Sequence, residues 1–301
     1  MKAEITAELF KRAAVLDSKA FALQNNSTAD IDLTPQHDSP LFRAPRILAD
    51  FPDWCVVYKP PYMNVTVDGD LSSTREEDPE IDEPERNGLA SFKEFVSSKI
   101  NLPISSDRVH AFGILHRLDT LTSGPLLVAK NYRGFYDLRT QFATGMVKKE
   151  YVCLSRGSLN DQTLRISERL RLSTVFDPNG KPIATKTAVD NQRGKPALTE
   201  VELIAPYREH DEDHQKNEVA GPLAYLNVKL YTGRTHQIRA HLSHVGLPLI
   251  GDAKYGERST LTPRTFLHSK RLGFVLDGKE VFVDCPLPSD LQEVLDGLVI
   301  A

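Results

Sequence analysis

The sequence predicts an α+β protein in which amphipathic helices flank a large mixed sheet, and three observations lead to it. Five short runs rich in β-branched and aromatic residues recur along the chain, ended by turn-forming residues. Four other stretches carry apolar residues at helical spacing. The two kinds are interspersed without any internal repeat, as expected of one body rather than an array.

The elements follow in order. Residues 1–26 read as an amphipathic helix; they lack the continuous apolar core of a secretory signal, and their glutamates depart from the acid-poor composition of a transit peptide. "NNSTADIDLTPQHDSPLFRAPR" (25–46) is polar and proline-punctuated, hence an extended linker. The expected organisation is a helical and linker extension over 1–45 and one folded domain over 46–301. "WCVVYKPP" (54–61) is a buried strand entering a rigid turn. "LASFKEFVSSKI" (89–100) puts Leu89, Phe92, Phe95, Val96 and Ile100 on one helical face. "GPLLVAK" (124–130) is a short strand, and Asn131 caps a helix bearing Phe135, Leu138 and Phe142 that Gly145 closes. "KEYVCLS", "ALTEVELIA" and "LAYLNVKLYTG" are three further strands. "THQIRAHLSHVG" (235–246) is a helix capped by Thr235 and closed by Gly246, with Ile238, Leu242 and Val245 inward and the histidines and Arg239 on its polar face.

Bulk composition narrows the function classes. The chain has 301 residues, 40% hydrophobic and 26% charged, enough for a sizeable core, and no apolar run of about 18 residues that could cross a bilayer. Its three cysteines are odd in number and lie in separate apolar runs, which argues against a disulfide framework or zinc site and for a reducing compartment. The net charge of −4 is unevenly spread: residues 68–86 hold nine acids against two arginines, and 209–218 five against one lysine, so the rest carries +7. Such acidic runs are usually solvated loops, and a basic body remains that can meet nucleic acid.

Chemistry concentrates at "HRLDTLTSG" (116–124), where Asp119 follows Arg117 by two residues. A carboxylate kept ionised by an opposite charge within about 4 to 6 Å can act as a nucleophile in a pocket that excludes water. A planar cation such as Arg117 can fill the gap that a base leaves when it flips from a stack.

Together with "GRTHQIRAHL", "GLPLIGDAKYG" and "FLHSKRLGF", this motif resembles the RluA-type family of RNA pseudouridine synthases. "DWCVVYKPPYMNV" is similar to the family's KPxG entry, "KKEYVCLSRG" to its KxYxxxxxG strand and "GKPALTEVELI" to its AxTxxxxL strand, so the likeness spans residues 47–287. The resemblance implies the family's fold, a mixed and largely antiparallel sheet with flanking helices and Asp119 in a central cleft. It implies a cofactor-independent isomerisation of uridine by base flipping, with Asp119, Tyr151 and Arg239 catalytic. His116, Arg117 and Leu267 are then expected to bind substrate: Arg117 filling the flipped base's place, Leu267 lining the pocket. Tyr151 would stack on the uracil. No metal is implied; the expected partner is RNA, ribosomal or transfer, the expected state a monomer without obligate protein partners, and the expected location cytoplasmic. Thr120 stands where a basic residue is common, Tyr62 where glycine is usual and Ser269 where alanine is usual.

Two other readings compete. A catalytically inactive RNA-binding or RNA-remodelling protein could keep the same fold, although Asp119, Tyr151 and Arg239 are all present. A nucleoside or glycoside hydrolase would usually need a second carboxyl group about 5 to 9.5 Å away, which the motifs do not supply. The remaining motifs read blandly: "HDEDH" (210–214) as a solvated loop rather than a zinc helix, "GDAKYG" (251–256) as a tight turn rather than a phosphate loop, and His241 and His244 as polar or RNA-facing contacts.

Overall fold

Burial on both faces marks the first two expected strands. A computed structural model describes residues 29–31, 44–65, 91–176, 182–209 and 221–301. The expected N-terminal helix, much of the linker, the acidic run 68–86, the histidine-flanked run 210–214 and Leu89 lie outside the described residues. β3 (Trp54–Lys59) and β4 (Gly124–Ala129) are buried at every position and pair antiparallel, with β2 (Arg46–Asp50) on the other edge of β3. Trp54 packs edge-on against Phe274 at 4.5 Å, which joins this small sheet to the larger one.

The larger sheet has eight strands. β5 (Lys148–Arg156) lies at its middle, between β10 (Leu223–Leu230) and β11 (Leu267–Leu276). Beyond β10 come β9 (Thr199–Arg208) and β13 (Val299–Ile300), with β6 (Thr163–Ile166) also on β9; beyond β11 come β12 (Lys279–Asp284) and β1 (Ala29–Ile31). Every pairing is antiparallel except that of β1 with β12, so the sheet is mixed and largely antiparallel as expected. β1 falls within the segment that reads as a linker; its three residues extend the sheet edge instead. β7 (Leu170–Phe176) and β8 (Pro182–Val189) form a separate hairpin.

Helices cover the sheets. α1 (Phe92–Ile100) buries Phe92 and Val96. α2 (Tyr132–Ala143) buries Phe135 and Leu138, and the Asn131 side chain caps it by accepting from the Gly134 N–H at 2.9 Å; Gly145 follows at φ 73°. α3 (Gln237–His244) departs from expectation at both ends. Its cap residue is His236, not Thr235, and no side chain caps it; the Gln237 side chain instead ties the preceding loop, accepting from the Arg234 N–H and the Thr232 hydroxyl. Val245 lies past the last turn and is exposed, whereas Ile238 and Leu242 point inward. α4 (Ser289–Asp296), not anticipated from the sequence, buries Leu291 and Leu295. No described helix is long and apolar enough to cross a membrane. Tyr151, Val228, Ile238, Leu242 and Leu267 share one core cluster, so β5, β10, β11 and α3 meet where the sequence motifs converge.

Candidate active site

The loop carrying Asp119 is held from three sides before any ligand arrives. Lys59, fully buried at the end of β3, donates to the carbonyls of Pro60 (2.8 Å), Met63 (3.0 Å) and Thr120 (3.0 Å), so all three ammonium protons tie the proline turn to this loop. Arg264 donates to Leu121 O at 2.8 Å and to Ser123 Oγ at 3.1 Å while pairing with Asp290 at 2.6 Å. His268 completes the anchor. Its Nε2 lies 2.9 Å from Cys285 O, which only accepts, so Nε2 carries the proton and Nδ1 accepts from the Ser123 hydroxyl at 2.9 Å. At Gly124 the backbone has φ 137°, and a Cβ would stand 2.5 Å from Ser269 O, so only glycine lets β4 leave the loop so close to β11. Tyr62, at the family's glycine position, keeps a left-handed φ of 58° and anchors its hydroxyl on Pro263 O at 3.0 Å.

Asp119 opens into a cleft of about 430 Å³, lined among others by Arg117, Lys149, Tyr151, Arg234, Arg239 and Leu267. Arg239 is almost fully buried, with Nη1 3.7 Å from Asp119 Oδ2. It cannot swing freely: Nε and Nη2 hold the two oxygens of Asp252 at 2.7 and 2.8 Å, and its guanidinium lies 5.0 Å from the Tyr255 ring centre. His236 sits at φ 50°, and its Nε2 is 4.0 Å from Asp119 Oδ1. Its Nδ1 meets the Tyr255 hydroxyl at 2.9 Å, which in turn accepts from the Thr187 N–H at 2.8 Å. With Nδ1 on this hydroxyl, the imidazole turns its Nε2 toward the carboxylate.

The electrostatics follow from this packing. Burial works to raise the Asp119 carboxyl and is outweighed by His236, Arg239 and Arg117, so it stays below the ordinary carboxylate value. Burial pushes His236 itself down to about 3, against the pull of the Asp119 charge. Tyr151, buried on β5 opposite Ser269, has its phenol raised by burial and by the Asp119 charge, so it remains protonated.

The expected residues are not all alike in their surroundings. Asp119, Tyr151, Arg239 and Leu267 converge on one cleft wall, and Arg117 stands exposed on the same cleft. His116 also lines it, yet its Nε2 accepts from the Leu127 N–H at 2.8 Å and its ring lies against Phe142, so that nitrogen is already committed to β4. His241 is buried, bonded to Thr199 Oγ1 and Glu168 O, and so has no RNA-facing surface; α3 packs on β8 and β9 with this side inward. His244 is exposed. Asp252 and Tyr255 escaped the sequence reading because both lie in "GDAKYG", whose glycines signal only a turn. With Lys254 two residues on, nothing in the sequence marks Asp252 as the partner of Arg239.

The sequence matches the family model described as RNA pseudouridylate synthase over residues 53–244, well over half of the chain. The chain belongs to the RNA pseudouridylate synthase family. It is 34% identical over 214 residues to RNA pseudouridine synthase 2, chloroplastic, of Oryza sativa subsp. japonica, covering 62% of this chain and 44% of that protein. To ribosomal large subunit pseudouridine synthase D of Zymomonas mobilis it is 32% identical over 200 residues, covering 63% and 57%. The chain thus spans about half the length of the curated relatives it matches. The RluA-type resemblance is borne out by several such synthases D. The structure of human RNA Pseudouridylate Synthase Domain Containing 1 superposes with a TM-score of 0.58 at 22% identity, covering 86% of this chain and 90% of the other, a likeness of fold. The chain thus shares the pseudouridylate synthase fold.

Proposed function

We propose that this chain is a site-specific RNA pseudouridine synthase in which Asp119 is the nucleophile. The observation that carries the reading is a partly exposed carboxylate, 18% accessible, facing a cleft while a buried arginine pinned by a second acid keeps it ionised. The reaction breaks the N1–C1′ bond of a flipped uridine, turns the base in place and rejoins it through C5; the C5 proton leaves and N1 ends protonated. It is redox-neutral and calls for no cofactor. Asp119 attacks the sugar or the base, Arg239 holds its charge, and Tyr151 stacks beneath the uracil. Because the Tyr151 phenol starts protonated, it can take the C5 proton only while giving up its own. Arg117 occupies the flipped base's place in the stack, Leu267 bounds the pocket, and His116 supports the wall behind Arg117.

Asp252 is no second catalytic carboxyl, since both its oxygens are bound by Arg239, which disfavours the hydrolase reading. The names of relatives such as ribosomal large subunit pseudouridine synthase D point to ribosomal RNA as the substrate class, ahead of transfer RNA. The chain is read as acting alone in a reducing compartment such as the cytoplasm, a setting that its three free buried thiols suit. Pseudouridine mapping of cellular RNA from cells carrying the unaltered protein against cells carrying only Asp119→Asn tests the reading. Loss of specific sites is expected and names the substrate. An unchanged map, with no turnover by purified protein on pooled RNA, refutes it in favour of an inactive RNA binder.

A further inference from the structure

β5 delivers two side chains to the cleft. Tyr151 and Lys149 are two residues apart and so share a sheet face, with Cα atoms about 7 Å apart along the strand. Lys149 lies nearer the start of β5, beside the loop at 231–234: a Cβ added at Gly233 would meet its Nζ at 3.2 Å. Arg234 of that loop is exposed on the same cleft, anchored through Nε to Pro196 O at 3.0 Å.

Neither cation has a carboxylate partner among the described residues. Glu150, the neighbouring acid on β5, pairs with Lys270, and Glu200 pairs with Lys229 while accepting from the Tyr231 hydroxyl. Burial, and then the like charge of Arg234, hold the Lys149 ammonium down to about 8. Two unneutralised cations on one partly buried wall work against folding, an arrangement suited to an anion that arrives with the ligand.

We propose that Lys149 and Arg234 together seat one phosphodiester of the RNA strand, gripping the backbone beside the flipped nucleotide while its base lies on Tyr151. The proposal rests on the pseudouridine synthase reading for what occupies the cleft. Arg234 supplies a planar fork and Lys149 a compact charge deeper in the cleft, so the phosphate is held from two directions. A phosphate contact orients the strand and carries no sequence preference, so it would serve any substrate RNA.

The test measures binding without turnover. Affinity for two end-labelled RNA stem-loops of unrelated sequence, both containing uridine, is titrated against salt for Asp119→Asn protein alone and with Lys149→Gln or Lys149→Arg added. Lys149→Gln is expected to weaken both RNAs about tenfold, a charged hydrogen bond at the low end, and to reduce the slope of log Kd against log salt by about 0.7 to 0.9. Lys149→Arg is expected to restore the slope, and Lys149→Gln to melt no lower than its parent, because it removes an unpaired charge. Unchanged affinity and slope in Lys149→Gln would overturn the proposal. So would a lower melting temperature that Lys149→Arg fails to rescue, the mark of a merely structural lysine. Since no product is measured, a failed pseudouridine map would sink the enzyme reading without altering this result.

Discussion

Replacing Asp252 by asparagine would separate the roles of the two acids that share Arg239. In the folded chain the Asp252 carboxylate accepts from Arg239 Nε at 2.7 Å, Arg239 Nη2 at 2.8 Å, Lys254 N at 3.1 Å and Tyr255 N at 2.9 Å, and it is fully buried. Asparagine keeps one acceptor oxygen, which can still serve the two backbone donors, but it turns an NH₂ toward Arg239 Nε and removes the counter-charge. Breaking one side of a buried pair costs about 3 to 5 kcal/mol; with the backbone bonds retained, the expected loss is about 3 kcal/mol. Released from its clamp, Arg239 is free to close the 3.7 Å gap to Asp119, pairing with the carboxylate it now only faces. A displacement of that size is expected to lower kcat by about 10²-fold. Urea unfolding gives the first quantity, and single-turnover kinetics on the mapped RNA the second. A double variant, Asp252→Asn with Arg239→Met, should be about 2 kcal/mol more stable than the two single losses added together. Asp252→Asn that lost under about 1 kcal/mol and kept kcat within threefold would refute the view that Asp252 positions Arg239.

Two further outcomes follow from the same structure. His116, His236 and His268 are held down to about 3, about 3 and about 4, in each case chiefly by burial, against about 6.5 when unfolded. They take up protons only on unfolding, so their stabilisation is complete above about pH 6.5 and is lost as pH falls toward 4, at about 2 to 4 kcal/mol per pH unit; a urea midpoint unchanged between pH 7 and pH 5 would contradict this. Gly124→Ala should cost at least about 2 kcal/mol, because φ 137° disfavours a side chain and Ser269 O is backbone that cannot turn aside. Thermal unfolding of the alanine protein at the parent temperature would show the junction to be looser than described.

Asp119 stood out in the sequence because it sits beside Arg117 in a contiguous motif, whereas Arg239 was singled out only through the resemblance; the fold brings the two to 3.7 Å. Tyr151 was legible only through the resemblance, since a strand tyrosine by itself is ordinary core. Asp252 was not legible: its partner is 13 residues back on α3, and charge pairing between a helix and a turn leaves no periodic trace. His241 misled for a related reason. A helix of eight residues wedged against β8 and β9 has no dependable polar face, and Thr199 with the Glu168 carbonyl satisfies a histidine that would otherwise be expected in water. The strands in β3, β4, β5, β9 and β10 announced themselves by apolar content. β6, β7 and β8 did not, because Arg165, Arg171, Lys186 and several hydroxyl residues interrupt their apolar positions, and pairing rather than pattern makes them strands.

The anchors of the Asp119 loop bear on the order in which the domain becomes competent during synthesis. Arg239 gains its counter-charge only when residue 252 has been made, and the loop's own grip on Arg264, His268 and Asp290 waits for α4. β5 likewise lacks one neighbour until β11 follows it by more than a hundred residues. A chain still leaving the ribosome therefore carries Asp119 for well over a hundred residues without the partners that charge it and anchor its loop, and the proposed activity would wait until α4 docks.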